Sequence, residues 1–151
     1  MSEAFQSLSA GLLAEGYGIR FQARGTSMLP LIGSDEIIIV EPVLTRRIRR
    51  GDILLYRRRS GVRAHRVLMI EKRDGRALRL TLKGDSSATA DDPITPAEIM
   101  GRVVAVERDG RSVRIAGRRA RLRWRLRQYA NHLRTLRARV MVIRTSGRAL
   151  D

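Results

Sequence analysis

The sequence contains no cysteine and few aromatic residues, and these absences exclude several kinds of site. Without cysteine the chain has no thiol nucleophile, no disulfide and no cysteine-ligated metal, and the redox compartment is left undecided. Only two histidines, His65 and His132, are present, so we expect no multi-histidine metal site and no cofactor. An aromatic content of 4% provides few platforms for stacking on nucleic acid bases.

Long apolar stretches and an N-terminal targeting segment are also missing. No run approaches the roughly 18 consecutive apolar residues that a membrane-spanning helix needs. The N-terminus carries Glu3 and Glu15 and lacks the basic start of a secretory signal. We therefore expect a protein without a transmembrane segment, located in the cytoplasm or peripheral to the membrane.

Positive charge is abundant and unevenly distributed. The 151 residues carry a net charge of +16. Residues 118–151 hold 11 arginines and one acid, whereas residues 1–117 hold 20 basic and 14 acidic residues. This contrast predicts a body over 1–117 and an arginine-rich tail over 118–151. Such a tail is either a solvated helix face or a surface for an anionic partner: a membrane, a nucleic acid or an acidic protein.

The body has the pattern of a mainly β domain that follows one short helix. Helical spacing of Phe5, Leu8 and Leu12 predicts an amphipathic helix over 3–15. From 19 to 115 the signals are mostly β, with short apolar runs at 36–43, 52–58, 62–72, 77–82 and 102–108. The dipeptides Asp74-Gly75 and Asp109-Gly110 are typical of tight hairpin turns, in which both positions need positive φ.

Apolar residues recur at alternating spacings of four and three along the tail, which predicts one amphipathic helix. The members of this stripe are Leu122, Leu126, Tyr129, Leu133, Leu136, Val140 and Ile143. Arginines occupy the other faces. The stripe has three possible fates: packing on the body, pairing with another helix, or lying on a membrane interface.

The stretch RGTSMLP, residues 24–30, places Ser27 just before a proline. A serine there either starts a turn or serves as a nucleophile. A hydroxyl nucleophile needs a base within hydrogen-bond reach, and the chain offers few candidates. They are His65, His132, Lys72 and Lys83.

A histidine base works best when a carboxylate fixes its tautomer. The loop sequence LKGDSSATADDP, residues 82–93, supplies Asp85, Asp91 and Asp92 directly after a predicted strand. Residue chemistry alone leaves these three carboxylates as equal candidates, and it also allows a solvated acidic loop.

Five short segments, taken together, resemble the successive characteristic boxes of the type I signal peptidase superfamily, which also includes self-cleaving repressors. They are GTSMLP, RRGDILLY, AHRVL, LKGDSSATADD and IMGRVVAV, in this order over residues 24–107. Bacterial members have a lysine base before an Arg-Val pair. The sequence His65-Arg66-Val67 is instead similar to the endoplasmic-reticulum and archaeal type, which has histidine there.

The resemblance implies a signal-peptidase-like folded β-sheet core and a serine endopeptidase that needs no metal. It implies Ser27 as the nucleophile, His65 as the general base and Asp91 as the acid that orients the base. Asp85 and Gly25 are implied as supporting residues. The substrate is expected to be a leader or signal-like peptide, bound as an extended strand beside an exposed sheet edge.

Two alternatives stay open beside this reading. Lys83 could be the base, as in the Ser/Lys pair of the self-cleaving repressors. The protein could also be a non-catalytic binding module, in which the β body is a scaffold and the basic helix contacts a membrane surface or nucleic acid. Scarce aromatics make nucleic acid the less favoured of these partners, and peripheral membrane contact through the tail the more favoured.

Overall fold

The computed structural model of the protein describes residues 3–72 and 78–127. The chain divides into two compact units, Met1–Gly117 and Arg118–Asp151. The first unit contains helix α1 (Glu3–Ala14), a seven-stranded sheet and two short 3₁₀ helices at Thr45–Arg47 and Pro96–Glu98. In the second unit, residues 118–127 are helical.

All strand pairings in the sheet are antiparallel, as expected for strands joined by short turns. The strands are β1 (Ile19–Gln22), β2 (Ile37–Glu41), β3 (Ile53–Arg58), β4 (Gly61–Glu71), β5 (Arg79–Lys83), β6 (Ile99–Arg108) and β7 (Arg111–Arg114). Their spatial order is β1-β2-β6-β3-β4-β5, and β7 pairs with β6. The predicted mainly β fold with an N-terminal and a C-terminal helix is confirmed.

Strand β3 is buried on both faces, which explains its continuous apolar sequence. Ile53 and Leu55 belong to one hydrophobic cluster, whereas Leu54 and Tyr56 belong to a second. Alternate side chains of a strand point to opposite faces of its sheet. The sheet therefore has a hydrophobic cluster on each side of β3.

The predicted hairpin turn at Asp109-Gly110 joins β6 to β7. The two residues have φ values of 50° and 70°, the left-handed conformation that this turn requires. Asp74 and Gly75 lie in 73–77, outside the described residues. The flanking strands β4 and β5 pair antiparallel, as a hairpin requires.

The buried face of α1 differs from the predicted stripe. Leu8 is 65% exposed, while Ser9 and Leu13 are buried. Phe5 packs edge-on against Phe21 of β1 at a ring distance of 5.2 Å. The helix docks through an i, i+4, i+8 line of Phe5, Ser9 and Leu13, a spacing that also fits one helix face. Because Ser9 is polar, the spacing of apolar residues did not reveal this buried face.

In the second unit, Leu122 and Leu126 are exposed by 57% and 58%. The remaining members of the tail stripe, from Tyr129 onward, lie outside the described residues, as does His132. Over 3–72 and 78–127, no helix combines the length and the apolar character required to cross a bilayer.

Candidate active site

Ser27 lies in the loop between β1 and β2, and backbone hydrogen bonds close this loop at its base. The N–H of Ala23 donates to the carbonyl of Glu36 at 2.7 Å, and the N–H of Asp35 donates to the carbonyl of Ala23 at 2.8 Å. Directly after the serine, buried Met28 and Ile32 anchor the loop in a hydrophobic cluster. Ser27 is thereby held at the surface of the sheet by its apolar neighbours.

Gly25 has a φ of +96°, the left-handed region that glycine adopts at low cost. No atom lies within 4 Å of the place where a Cβ would stand. Glycine is therefore needed here for backbone conformation and not for space. The left-handed conformation places a bend two residues before Ser27, and the supporting role of Gly25 stays a prediction.

His65 extends from β4, and the strand register decides which side chains accompany it. Leu54 of β3 is paired with His65, and Tyr56 is paired with Arg63. Paired residues of neighbouring strands share a face, as do residues two apart in one strand. Tyr56, Arg63 and His65 therefore lie on the same face of the sheet.

Asp91 reaches this face because its segment runs alongside β5. The N–H of Asp91 donates to the carbonyl of Leu82 at 2.8 Å, and Ile94 forms an antiparallel bridge with Leu80. The loop predicted over 86–98 thus returns to the sheet at Asp91. Its earlier part leaves β5 and passes beside Ser27.

Ser27, His65 and Asp91 form a continuous line of hydrogen bonds. Ser27 Oγ lies 2.9 Å from His65 Nε2, and His65 Nδ1 lies 2.6 Å from Asp91 Oδ2. When Nδ1 carries the proton and donates it to the carboxylate, Nε2 is left as the acceptor for the serine hydroxyl. The three predicted residues are brought together in the arrangement that activates a serine.

Two further donors bind the Asp91 carboxylate. Tyr56 Oη donates to Oδ2 at 2.9 Å, and Arg63 Nη1 donates to Oδ1 at 3.1 Å. Burial favours the neutral acid, but the hydrogen bonds from His65, Tyr56 and Arg63 outweigh it and hold the pKa of Asp91 below its ordinary value. Asp91 is therefore ionised when it faces the histidine ring.

Asp85 does not contact the histidine. Both of its carboxylate oxygens accept hydrogen bonds from Arg66, from Nε at 2.7 Å and from Nη2 at 2.6 Å. Arg66 Nη1 also donates to the carbonyl of Gly51 at 2.9 Å. The ion pair thus ties the turn after β5 to β4 and to the segment that precedes β3. The supporting role of Asp85 stays a prediction.

The turn after β5 also contacts the nucleophile loop directly. The N–H of Ser86 donates to the Ser27 carbonyl at 2.9 Å, and Ser86 Oγ donates to the Thr26 carbonyl at 2.7 Å. A Cβ on Gly84 would stand 2.6 Å from Ser27 O and 2.9 Å from Ser27 Cβ. Only glycine fits at this close approach.

Among the described residues, three further candidates, Asp92, Lys72 and Lys83, do not join the line. Asp92 is exposed, and its backbone carbonyl accepts from Arg58. Within 3–72 and 78–127, neither Lys72 nor Lys83 forms a hydrogen bond with Ser27, whose Oγ faces His65. The described residues also contain no cluster of three or more potential metal ligands.

A cleft of about 510 Å³ opens beside Ser27. One wall is formed by the end of β1 and the loop that follows, and the other by the start of β4. The lining includes Phe21, Arg24, Ser60, Val62, Ala64 and Thr89, together with Ser27, His65 and Asp91. The cleft is large enough to hold several residues of a peptide over the serine.

Sequence reasoning missed Tyr56, Arg63 and Gly84 as parts of the site. Tyr56 stands in the apolar run ILLY, and a tyrosine at the end of a doubly buried strand signals a hydroxyl that needs a buried partner. Arg63 is two residues before His65, so the period of the strand places it on the same face. No feature of the sequence marks Gly84. Only the tertiary contact shows that its backbone lies close to Ser27.

A family model described as Peptidase S24-like matches residues 3–104. The match includes Ser27, His65 and Asp91 and ends within β6. No curated protein matches the chain. The predicted superfamily of serine peptidases and self-cleaving repressors is thereby confirmed. The chain belongs to the Peptidase S24-like family, within the superfamily that also contains the type I signal peptidases.

Proposed function

We propose that this protein is a serine endopeptidase that cleaves a leader or signal-like peptide, with Ser27 as nucleophile, His65 as general base and Asp91 as the orienting acid. The observation that carries the proposal is the hydrogen-bonded line through both ring nitrogens of His65, at 2.9 Å to Ser27 Oγ and 2.6 Å to Asp91 Oδ2. These distances are within the reach that proton transfer requires.

In the proposed reaction Ser27 Oγ attacks the scissile carbonyl carbon while its proton moves to His65 Nε2. The tetrahedral intermediate collapses as the imidazolium gives that proton to the leaving amine, and the C–N bond breaks. Water then gives a proton to Nε2 and attacks the acyl-enzyme. The proton returns to Ser27 Oγ as the ester bond breaks, which releases the acid product and restores the site.

The Ser27 backbone N–H is the first candidate for stabilising the oxyanion. Over the described residues no protein acceptor binds this N–H. An amide adjacent to the attacking oxygen, held in place before reaction, is well suited to the charge that develops on the carbonyl oxygen. Gly25 has no side chain to serve as a second donor, so a second donor has to come from the main chain or from elsewhere in the cleft.

The strand register offers a place for an extended substrate. Residues Gly61–His65 pair with β3, whereas the pairing of β4 with β5 begins only at Arg66. The N–H and C=O groups on the other side of Gly61–His65 therefore form an open edge within the described sheet. β1 is also an edge strand, because the described sheet pairs it only with β2. A peptide strand lying in the cleft would add to these edges, with main-chain hydrogen bonds supplying affinity.

The test is cleavage of a mixture of unstructured peptides, with the products read by mass spectrometry. The wild-type chain should cut a subset of them, and Ser27→Ala should remove the cutting while leaving the circular dichroism spectrum unchanged. Ser112→Ala changes an exposed serine of β7 and serves as the matched control. Full activity of Ser27→Ala would refute the proposal. Binding of peptides without any cleavage by the wild type would favour the binding module instead.

The choice of base is tested in the same assay. His65→Ala should reduce cleavage by at least about 10³-fold, as removal of the base does in other serine peptidases. Lys83→Ala should retain activity, because Lys83 forms no hydrogen bond with Ser27 in the described residues. Loss of activity with Lys83→Ala alone would overturn the histidine assignment.

We also propose that the tail rests on an anionic membrane surface. Leu122 and Leu126 are four residues apart on one face of the helix, and both are more than half exposed. Arg118, Arg119, Arg123, Arg125 and Arg127 are exposed on the same short segment. Exposed leucines beside arginines suit a lipid interface, which takes up both, better than a nucleic acid, which would leave the leucines in water.

A further inference from the structure

The Tyr56 side chain is fully buried, and its hydroxyl lies at the centre of the candidate site. Oη donates to Asp91 Oδ2 at 2.9 Å and lies 3.1 Å from His65 Nδ1. These are the same two atoms that share the Nδ1 proton, at 2.6 Å from each other. The phenol oxygen therefore closes a triangle with the two atoms that set the tautomer of the base.

Burial makes this contact obligatory for the tyrosine. A buried hydroxyl without a partner is destabilising. The backbone of Tyr56 is held in β3 by pairing with Arg63 of β4 on one side and Ile99 of β6 on the other. The hydroxyl's only route to hydrogen bonding in the described structure is toward Asp91 and His65. The sheet therefore holds the tyrosine, and with it the hydroxyl, in a fixed position.

We propose that Tyr56 is a positioning residue for His65: its hydroxyl fixes the Asp91 oxygen that accepts the Nδ1 proton, and it provides a second acceptor for the same nitrogen. This inference rests on the proposed peptidase function. The phenol proton points to Asp91 Oδ2, so the oxygen lone pairs are free to face Nδ1. When the ring takes the serine proton and becomes positive, Nδ1–H is shared between a carboxylate and a phenol oxygen.

The electrostatics of the phenol agree with this role. Burial, together with the hydrogen bond to Asp91, raises the pKa of Tyr56 above its ordinary value. The hydroxyl therefore keeps its proton at neutral pH and remains a donor to the carboxylate.

The first test is Tyr56→Phe, assayed on the peptide that the wild type cleaves fastest. The variant keeps the buried ring and loses one oxygen. We expect kcat to fall at least about tenfold with KM within about twofold, since the residue acts on the base and not on the substrate. Unchanged kcat, or a fall in kcat/KM that comes entirely from KM, would overturn the proposal.

Tyr17→Phe is the matched control, because it removes the same atom from an exposed tyrosine outside the cleft. Its kinetic constants should equal those of the wild type. A thermal unfolding curve for Tyr56→Phe with a single cooperative transition identifies the kinetic loss as local.

The second test does not depend on activity. Imidazole ¹⁵N shifts of the wild type should show His65 mainly as the Nδ1-protonated tautomer, because Nδ1 faces both Asp91 Oδ2 and the phenol oxygen. In Tyr56→Phe, which keeps the carboxylate but loses the group that fixes it, the population of that tautomer should fall. Identical tautomer populations in the wild type and Tyr56→Phe would refute the positioning role. Should the wild type cleave no peptide, the proposed function fails, while this NMR comparison still decides the role of Tyr56.

Discussion

The Ser27 carbonyl accepts a hydrogen bond from the Ser86 N–H at 2.9 Å, which joins the nucleophile loop to the turn that follows β5. The same turn contains Gly84, and it leads to the segment that carries Asp91. The position of the nucleophile is therefore set by the strand that also brings in the acid. Several consequences of this shared support are measurable.

Gly84→Ala should move the nucleophile. The added methyl group would stand 2.6 Å from Ser27 O and 2.9 Å from Ser27 Cβ, so the loop has to shift. A misplacement of up to 1 Å lowers the rate by on the order of 10²-fold, and we expect kcat to fall by about that factor. Gly11→Ala in α1 is the control, because no atom lies within 4 Å of its Cβ position. That change should leave kcat unaltered and raise helix stability by about 0.5–1 kcal/mol. Equal kcat values for Gly84→Ala and Gly11→Ala would contradict the claim that the Gly84 turn sets the position of Ser27.

Asp85→Ala should destabilise the body more than the loss of a surface ion pair does. Arg66 has a side chain that is 5% exposed, so removing its carboxylate leaves a buried guanidinium without that partner. We expect the free energy of unfolding in urea to drop by about 3 kcal/mol. Glu107→Ala breaks the pair with Arg20, which is 60% exposed, and should lower the free energy of unfolding much less, because solvent screens the exposed pair. A loss for Asp85→Ala no larger than for Glu107→Ala would rule out the supporting role.

Asp91 should make the fold sensitive to acid. Its pKa in the folded chain lies below the ordinary value of 3.8, so the ionised form stabilises the fold at pH values above that figure. This contribution disappears as the pH falls through the folded-state pKa. Asp91→Asn lacks it at every pH. The difference in unfolding free energy between wild type and variant should therefore be largest near neutrality and should shrink below pH 3.8. A difference that stays constant with pH would contradict the assignment.

Lipid binding by the tail is measurable by sedimentation with vesicles. The chain should bind vesicles that contain phosphatidylglycerol and should not bind pure phosphatidylcholine. Replacing Arg123 and Arg125 by glutamine should weaken the partition coefficient by roughly thirtyfold, at about 1 kcal/mol per basic residue near the surface.

Leu122→Ser with Leu126→Ser should also weaken vesicle binding, whereas Leu44→Ser, at an exposed leucine of the body, should not. Double-stranded DNA provides the contrasting probe. Suppose instead that the chain binds DNA, that this affinity falls steeply with salt, and that the two leucine substitutions leave it unchanged. The tail would then be assigned to nucleic acid binding.

Much of this fold was predictable because strands and turns carry local signals. The apolar runs and the Asp109-Gly110 turn locate most of the sheet, since alternation and positive φ are properties of neighbouring residues. Strand β6 begins at Ile99, three residues before the predicted 102, because Ile99 pairs with Tyr56 across the sheet. That pairing is tertiary, and no local pattern reports it.

The candidate site was predictable only in part. The order of the motifs singled out Ser27, His65 and Asp91, which the structure brings together. Tyr56 and Arg63 join the site through strand register, which depends on how β3 and β4 align. The role of Gly84 comes from the contact between its turn and the loop that carries Ser27. Contacts that arise between segments distant in the chain leave little trace in either segment alone.

The open edge along Gly61–His65 has a consequence for self-association. An edge that accepts a substrate strand is equally able to accept the edge of a second molecule, which is the usual route to aggregation of β proteins. Arg63 lies within that edge with a side chain that is 47% exposed, and the whole chain carries a charge of +16. Charge on an edge strand repels an identical edge. The arginine that steadies Asp91 therefore also protects the unoccupied cleft from a second copy of the protein.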